Sequence, residues 1–145
     1  MPNLLRRLFL EVGNGGFGPG YGVLGVRGGS TDDLGQTALD AYREFHSLSR
    51  AQWLPESLLP LCHWGCAIYS FVDCASQHGD IWASDPNLGV EDDTFRQPLT
   101  IVEWFARWVD GRLYQPALIE DPESGEVRPA TDEDFEQWEA EEEAL

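Results

Sequence analysis

Five side chains that can ligate a metal or act as nucleophile and base lie between positions 62 and 78: Cys62, His63, Cys66, Cys74 and His78. Zinc is the first chemistry they raise, because thiolate and imidazole are its usual ligands. The Cys-x3-Cys spacing with flanking His matches no strong zinc pattern. In an extended chain Cys62 and His63 also point to opposite faces. The cysteines therefore read as small buried hydrophobes, and no metal or cofactor is assigned. A Cys–His nucleophile would need Cys74 to meet His78 across a turn, or His46 to arrive from a helix. No orienting third group is identifiable, and neither GxSxG nor HExxH occurs. Asp73 and Asp85 could share proton-transfer work. Asp at a strand end more often accepts from turn amides, which is the role assigned here. No catalytic residue is assigned, and the chain reads as a non-enzyme.

The glycine-rich run GNGGFGPGYG, Gly13 to Gly22, invites a phosphate reading. No Lys follows it, and it leaves a helix rather than a strand, so it is neither a Walker loop nor a dinucleotide fingerprint. It reads as a turn that lets backbone pass close to backbone, or as a partner surface. Charge narrows the partners. The 145 residues carry a net charge of −17, with 26 acids against nine basic residues, all Arg. Twelve of the acids fall in residues 119–145 beside a single Arg. Such a chain repels nucleic acid and anionic membranes, which demand clustered cations. A basic protein is the partner its field attracts, with plain solubility as the alternative reading. Three cysteines, no signal peptide and no long apolar run point to the cytoplasm with reduced thiols.

The elements that must position these groups centre on Leu58–Trp82, the most apolar continuous stretch. Ile68 and Val72 alternate with Tyr69 and Phe71, so the strand is apolar on both faces and belongs mid-sheet. Gly65 and Ser76–Gly79 divide the stretch into an antiparallel meander, and Pro60 marks the first strand as an edge. Before it, Pro2–Val12 reads as a helix closed by a left-handed Gly13, and Tyr21–Val26 as a strand weakened by Gly22 and Gly25. Ser30–Asp33 reads as the N-cap of a helix whose stripe is Leu34, Ala38, Ala41, Tyr42, Phe45 and Leu48. Ser84–Pro98 reads as a polar loop. Thr100 with Glu103 makes a capping box, Leu99 and Trp104 a hydrophobic staple, and Gly111 a stop. The face Ile101, Trp104, Phe105, Trp108, Val109 must cover a sheet. Leu113–Leu118 reads as an edge strand, Asp121–Pro129 as a turn and extended stretch. Thr131 with Asp134 caps a last helix to about Glu142, with Phe135 and Trp138 on its small apolar face. The fold class expected is α+β, one domain, with a mostly antiparallel sheet of about four to six strands and helices packed on it.

Two stretches together resemble the SUKH superfamily. Leu8–Gly25, LFLEVGNGGFGPGYGVLG, is similar to its entry motif of helix, Asn-Gly turn, Gly-rich loop and first strand. Leu58–Asp73, LLPLCHWGCAIYSFVD, resembles its Leu-Pro-(Leu/Ile)-Cys-x-x-Gly-Cys strand pair. The Thr100–Asp110 helix also fits. The resemblance implies a SUKH-like α+β domain over residues 1–118 and leaves 119–145 as an acidic extension with a short helix. It implies one of two functions. One is a bacterial immunity-type protein that binds and neutralises a cognate toxin, often a nuclease. The other is a housekeeping interaction scaffold related to cell-wall-synthesis regulators. Members usually carry a further helix ahead of the first one here. The start at Met1-Pro2 therefore implies truncation, with exposed apolar surface that a homodimer would cover.

The candidate partner-binding residues are Glu91, Asp92 and Asp93 on the acidic loop, Trp64 beside the meander, and Asn14 and Phe17 on the glycine-rich loop. Trp53 and Trp64 sit near loops, where an exposed ring is an anchor and a packed one is core; Trp82 reads as core.

Overall fold

Strand β2 (Ile68–Asp73) carries bulk on both faces, and the structure buries both. In a computed structural model that describes residues 1–47 and 54–145, β2 lies inside a four-stranded antiparallel sheet. Its neighbours are β1 (Leu58–Gly65) and β3 (Asp80–Ser84), and β4 (Thr94–Thr100) completes the order β1-β2-β3-β4. Helices α1 (Asn3–Glu11) and α3 (Ile101–Val109) cover one face. There Val72, Ile81 and Cys62 pack with Leu5, Ile101 and Trp104. Helix α2 (Ala38–Ser47) covers the other face, where Tyr69 and Phe71 pack with Ala38, Ala41 and Leu24. Strands β5 (Leu118–Glu120) and β6 (Val127–Pro129) form a separate hairpin, followed by α4 (Asp132–Glu143). The fold is a single α+β domain, as expected. No helix among the described residues is long and apolar enough to cross a membrane.

The N-cap signals of the last two helices are borne out. Thr100 and Glu103 exchange both capping-box hydrogen bonds at the start of α3, and Thr131 and Asp134 do so for α4. Gly111 adopts φ +70° behind α3. Pro60 lies on β1, an edge of the sheet.

Six expectations need correction. Helix α2 begins at Ala38, not after Ser30. Gly35 (φ +78°) breaks the chain first, and Asp32 Oδ1 accepts from the N–H groups of Leu34 and Gln36 in a turn of its own. Thr37 and Asp40 supply the cap instead, and Leu34 is 70% exposed. The Ser84–Pro98 loop is shorter than expected, because Thr94–Thr100 is β4. Pro98 hid this strand. It falls where the β3–β4 register slips, between the pairs Asp80–Thr100 and Trp82–Arg96, so its missing N–H breaks no ladder bond there. Gly13 does not take the left-handed position. It donates to Leu8 O, and Gly15 and Gly16 carry the positive φ values. The Tyr21–Val26 strand reduces to one bridge, Val23 to Cys62, and Leu113–Leu118 reaches extended pairing only at Leu118. Finally, α3 buries Ile101, Trp104 and Phe105, while Val109 is 75% exposed and Trp108 sits at the margin. Leu48 and Trp53, in the expected helix stripe and link, lie outside the described residues.

The glycine-rich loop is a close crossing of backbones, as read. A Cβ on Gly25 would stand 2.4 Å from both Asn14 O and Ser30 N. Asn14 locks the crossing: its Oδ1 accepts from Val26 N–H, its Nδ2 donates to Arg27 O, and its backbone O accepts from Ser30 N–H.

Candidate functional site, an acidic groove between α2 and the meander

The β1–β2 register sets His63 opposite Tyr69 on the α2 face, while Cys62 opposite Ser70 faces α1 and α3. Cys62 and His63 thus diverge, as the extended chain requires. The His63 ring stacks between Tyr21 and Tyr69, with centroids 5.6 Å and 4.5 Å away. The segment before α2 then delivers two carboxylates. Asp33 Oδ1 lies 2.8 Å from His63 Nδ1, and Tyr69 OH donates to Asp32 Oδ2 at 3.0 Å. A carboxylate only accepts, so Nδ1 carries a proton toward Asp33. His63 is 4% exposed, and Nε2 has no hydrogen-bond partner. Burial first, then the hydrogen bond and charge of Asp32, push the Tyr69 phenol upward, so it stays a neutral donor.

These residues open into a groove of about 390 Å³. Asp33 and Glu44 stand on its rim, Phe45 and Tyr69 supply aromatic wall, and His63, Ser84 and Cys66 line the rest. The β1–β2 turn that closes one end is strained: Cys66 (φ 50°) and Ala67 (φ 60°) both sit in the left-handed region. Asn87 braces it by donating to Cys66 O. Phe45 and Ser84 also line a second recess with Glu91, Asp92 and Asp93, so the two acidic rims adjoin. No Arg lines either recess among the described residues.

Of the residues singled out from the sequence, Glu91 and Asp92 are exposed beside this groove. Asp93 is buried, its backbone O accepting from Asp85 N–H and its Oδ1 from the Thr94 hydroxyl. Trp64 is half-buried, donating to Ser70 Oγ and packing on the α1/α3 side. Phe17 packs between Phe9 and Phe105, and Asn14 is spent on the loop crossing. The acidic loop and the Trp64–Asn14–Phe17 group therefore belong to different parts of the fold. Trp82 is half-buried against the α2-side cluster. Asp73 and Asp85 accept from turn amides, Asp73 from Ala75 and Asp85 from Asn87, and Asp85 Oδ2 also accepts from Leu118 N–H.

The groove residues Asp33 and Tyr69, and Asp32 behind them, carried no signal as a site in the sequence. Asp32 and Asp33 read as a helix cap, and Tyr69 as core. Among the described residues, the one group of three ligand-type side chains with donor atoms within 4.8 Å is Asp32, Asp33 and His63. Several of its ligand atoms are already engaged: Asp32 accepts from two amides and a phenol, and His63 Nδ1 is bound to Asp33 Oδ1. The Asp33–His63 pair has the form of an oriented base, yet no thiol or hydroxyl reaches Nε2, and burial raises Cys62 far above thiol values. No family model, curated protein or solved structure matches the chain.

Proposed function

We propose that the chain is a non-enzymatic protein-binding domain of the immunity type, which neutralises a basic toxin domain by occupying its working surface. One observation carries this reading. Two adjoining recesses on the α2 face are rimmed by Asp33, Glu44, Glu91 and Asp92, and no Arg lines them. Opposed charge of this kind speeds encounter more than it tightens the complex. The resemblance to the SUKH superfamily supports the same reading, and the cognate toxin is the class of partner it suggests.

The experiment is co-expression with the product of the neighbouring gene, scored for rescue of growth. The Glu91→Arg and Asp92→Arg double variant keeps the buried Asp93 and reverses only exposed charge. It should weaken protection, and raised salt should slow association of the purified pair. Full rescue by the double variant together with a salt-independent on-rate would remove this face from the reading. Absence of any rescue by the parent chain would remove the toxin.

A further inference from the structure

We propose that the groove between α2 and the β1–β2 turn is a guanidinium site, which seats an arginine side chain of the basic partner. The inference rests on the protein-binding reading above and names the chemistry that partner must present. The argument starts from what the groove offers. Asp33 and Glu44 present carboxylates, which accept and never donate when ionised. Asp33's side chain is 43% exposed, so half of it remains available beyond its bond to His63. His63, which lines the same groove, is buried to the same degree as a core residue, and its Nε2 has no hydrogen-bond partner. A buried polar atom left without a partner is costly, so a ligand that supplies one gains what the free protein lacks. Phe45 and Tyr69 stand edge to face with centroids 5.0 Å apart, and their rings wall the site.

The groove is thus rich in acceptors, ringed with negative charge and walled by aromatic rings. An anion is repelled by Asp33 and Glu44, and a neutral apolar group leaves the acceptors bare. Guanidinium answers each feature: five N–H donors, no acceptor, a permanent charge, and a flat face that stacks on aromatic rings. Ammonium matches the charge and not the planar fork. A volume of about 390 Å³ falls low in the ~300–1,000 Å³ range of ligand pockets, which fits one long side chain with its flanking backbone.

The test is a titration of the whole chain with N-acetyl-arginine amide, followed by nuclear magnetic resonance of backbone amides and histidine rings. The citrulline analogue, equal in shape and uncharged, is the control, and the lysine analogue tests the fork. Saturable shifts confined to Asp33, Phe45, Ala67, Tyr69 and the His63 ring are expected, with arginine tighter than lysine and citrulline silent. Asp33→Asn and Glu44→Gln should each weaken binding by about tenfold. Both changes are near-isosteric, and an unchanged amide spectrum shows that the fold persists. Equal binding of citrulline, shifts centred elsewhere, or stoichiometric Zn²⁺ uptake lost in Asp33→Asn would each overturn the assignment. The growth assay reads the parent proposal separately. A chain that rescues growth but ignores the arginine analogue refutes the guanidinium site alone. A chain that binds the analogue and rescues nothing upholds the site and refutes the toxin reading.

Discussion

Replacing Tyr69 by Phe removes one oxygen from a buried polar contact. The phenol donates to Asp32 Oδ2 at 3.0 Å, and both residues are buried. Asp32 keeps its two amide donors, from Leu34 and Gln36, but only on Oδ1. The variant therefore leaves a buried carboxylate oxygen without its donor, while the ring and its stacking on His63 stay in place. Hydrogen bonds to charged groups contribute about 1.5–3 kcal/mol, so the loss should fall in that range. For a chain of this size that corresponds to a fall in Tm of about 4–10 °C. Urea unfolding followed by tryptophan fluorescence measures it, and the cycle with Asp32→Ala isolates the pair. The high phenol pKa adds a pH signature. Its folded value lies above the ordinary value of about 10, chiefly through burial, so the neutral phenol stabilises fully below that pH. That stability is lost as the pH rises toward the folded value, and Tyr69→Phe should blunt the alkaline loss. A destabilisation below about 0.5 kcal/mol, or one unchanged in the Asp32→Ala background, would refute the strength assigned to the Tyr69–Asp32 hydrogen bond.

Three further outcomes follow from the same structure. Gly25→Ala should prevent stable folding or cost more than about 3 kcal/mol, because its Cβ meets the Asn14 and Ser30 backbone at 2.4 Å, whereas Gly28→Ala, with nothing within 4 Å, should cost about 1 kcal/mol for its φ of +74°; circular dichroism melts separate the two. Changing Cys66-Ala67 to Asn-Gly should stabilise by about 1 kcal/mol, since both positions hold left-handed φ values that Asn and Gly tolerate in a two-residue hairpin; a lower Tm would contradict the strain. Acid should release the C-terminal segment late. Arg128 holds Asp121 down at about 2 and Asp134 lower than its ordinary value, so their contribution is present above pH ~4 and lost as the pH falls toward 2. The nuclear magnetic resonance signals of the Tyr114 and Phe135 ring protons, whose rings stack 4.7 Å apart, would follow that release as the pH is lowered; ring separation already at pH 5 would oppose it.

Where local rules suffice, the chain was legible. Capping residues bond to amides three positions away, so Thr100–Glu103 and Thr131–Asp134 announce helix starts without reference to the rest of the fold. The alternation in β2 likewise demands cover on both faces, whatever supplies it. Local rules misled where a distant residue competed. The pattern after Ser30 favours a helix at once. Asp32 is drawn instead into the bond with Tyr69, which holds the turn open until Thr37 can cap. β4 was invisible because Arg96, Gln97 and Pro98 have poor strand character, and only pairing with β3 orders them.

The amino-acid order by itself determined the starts of α3 and α4, the meander, the two-faced central strand, the acidity and the glycine crossing, because each rests on neighbours a few bonds apart or on total charge. Tertiary structure alone decided the groove. Asp33 meets His63 across 30 residues and Asp32 meets Tyr69 across 37. No periodicity encodes a contact at that separation; it arises when α2 packs on the sheet and carries its leading acids to the face where β1 and β2 have already turned an imidazole and a phenol.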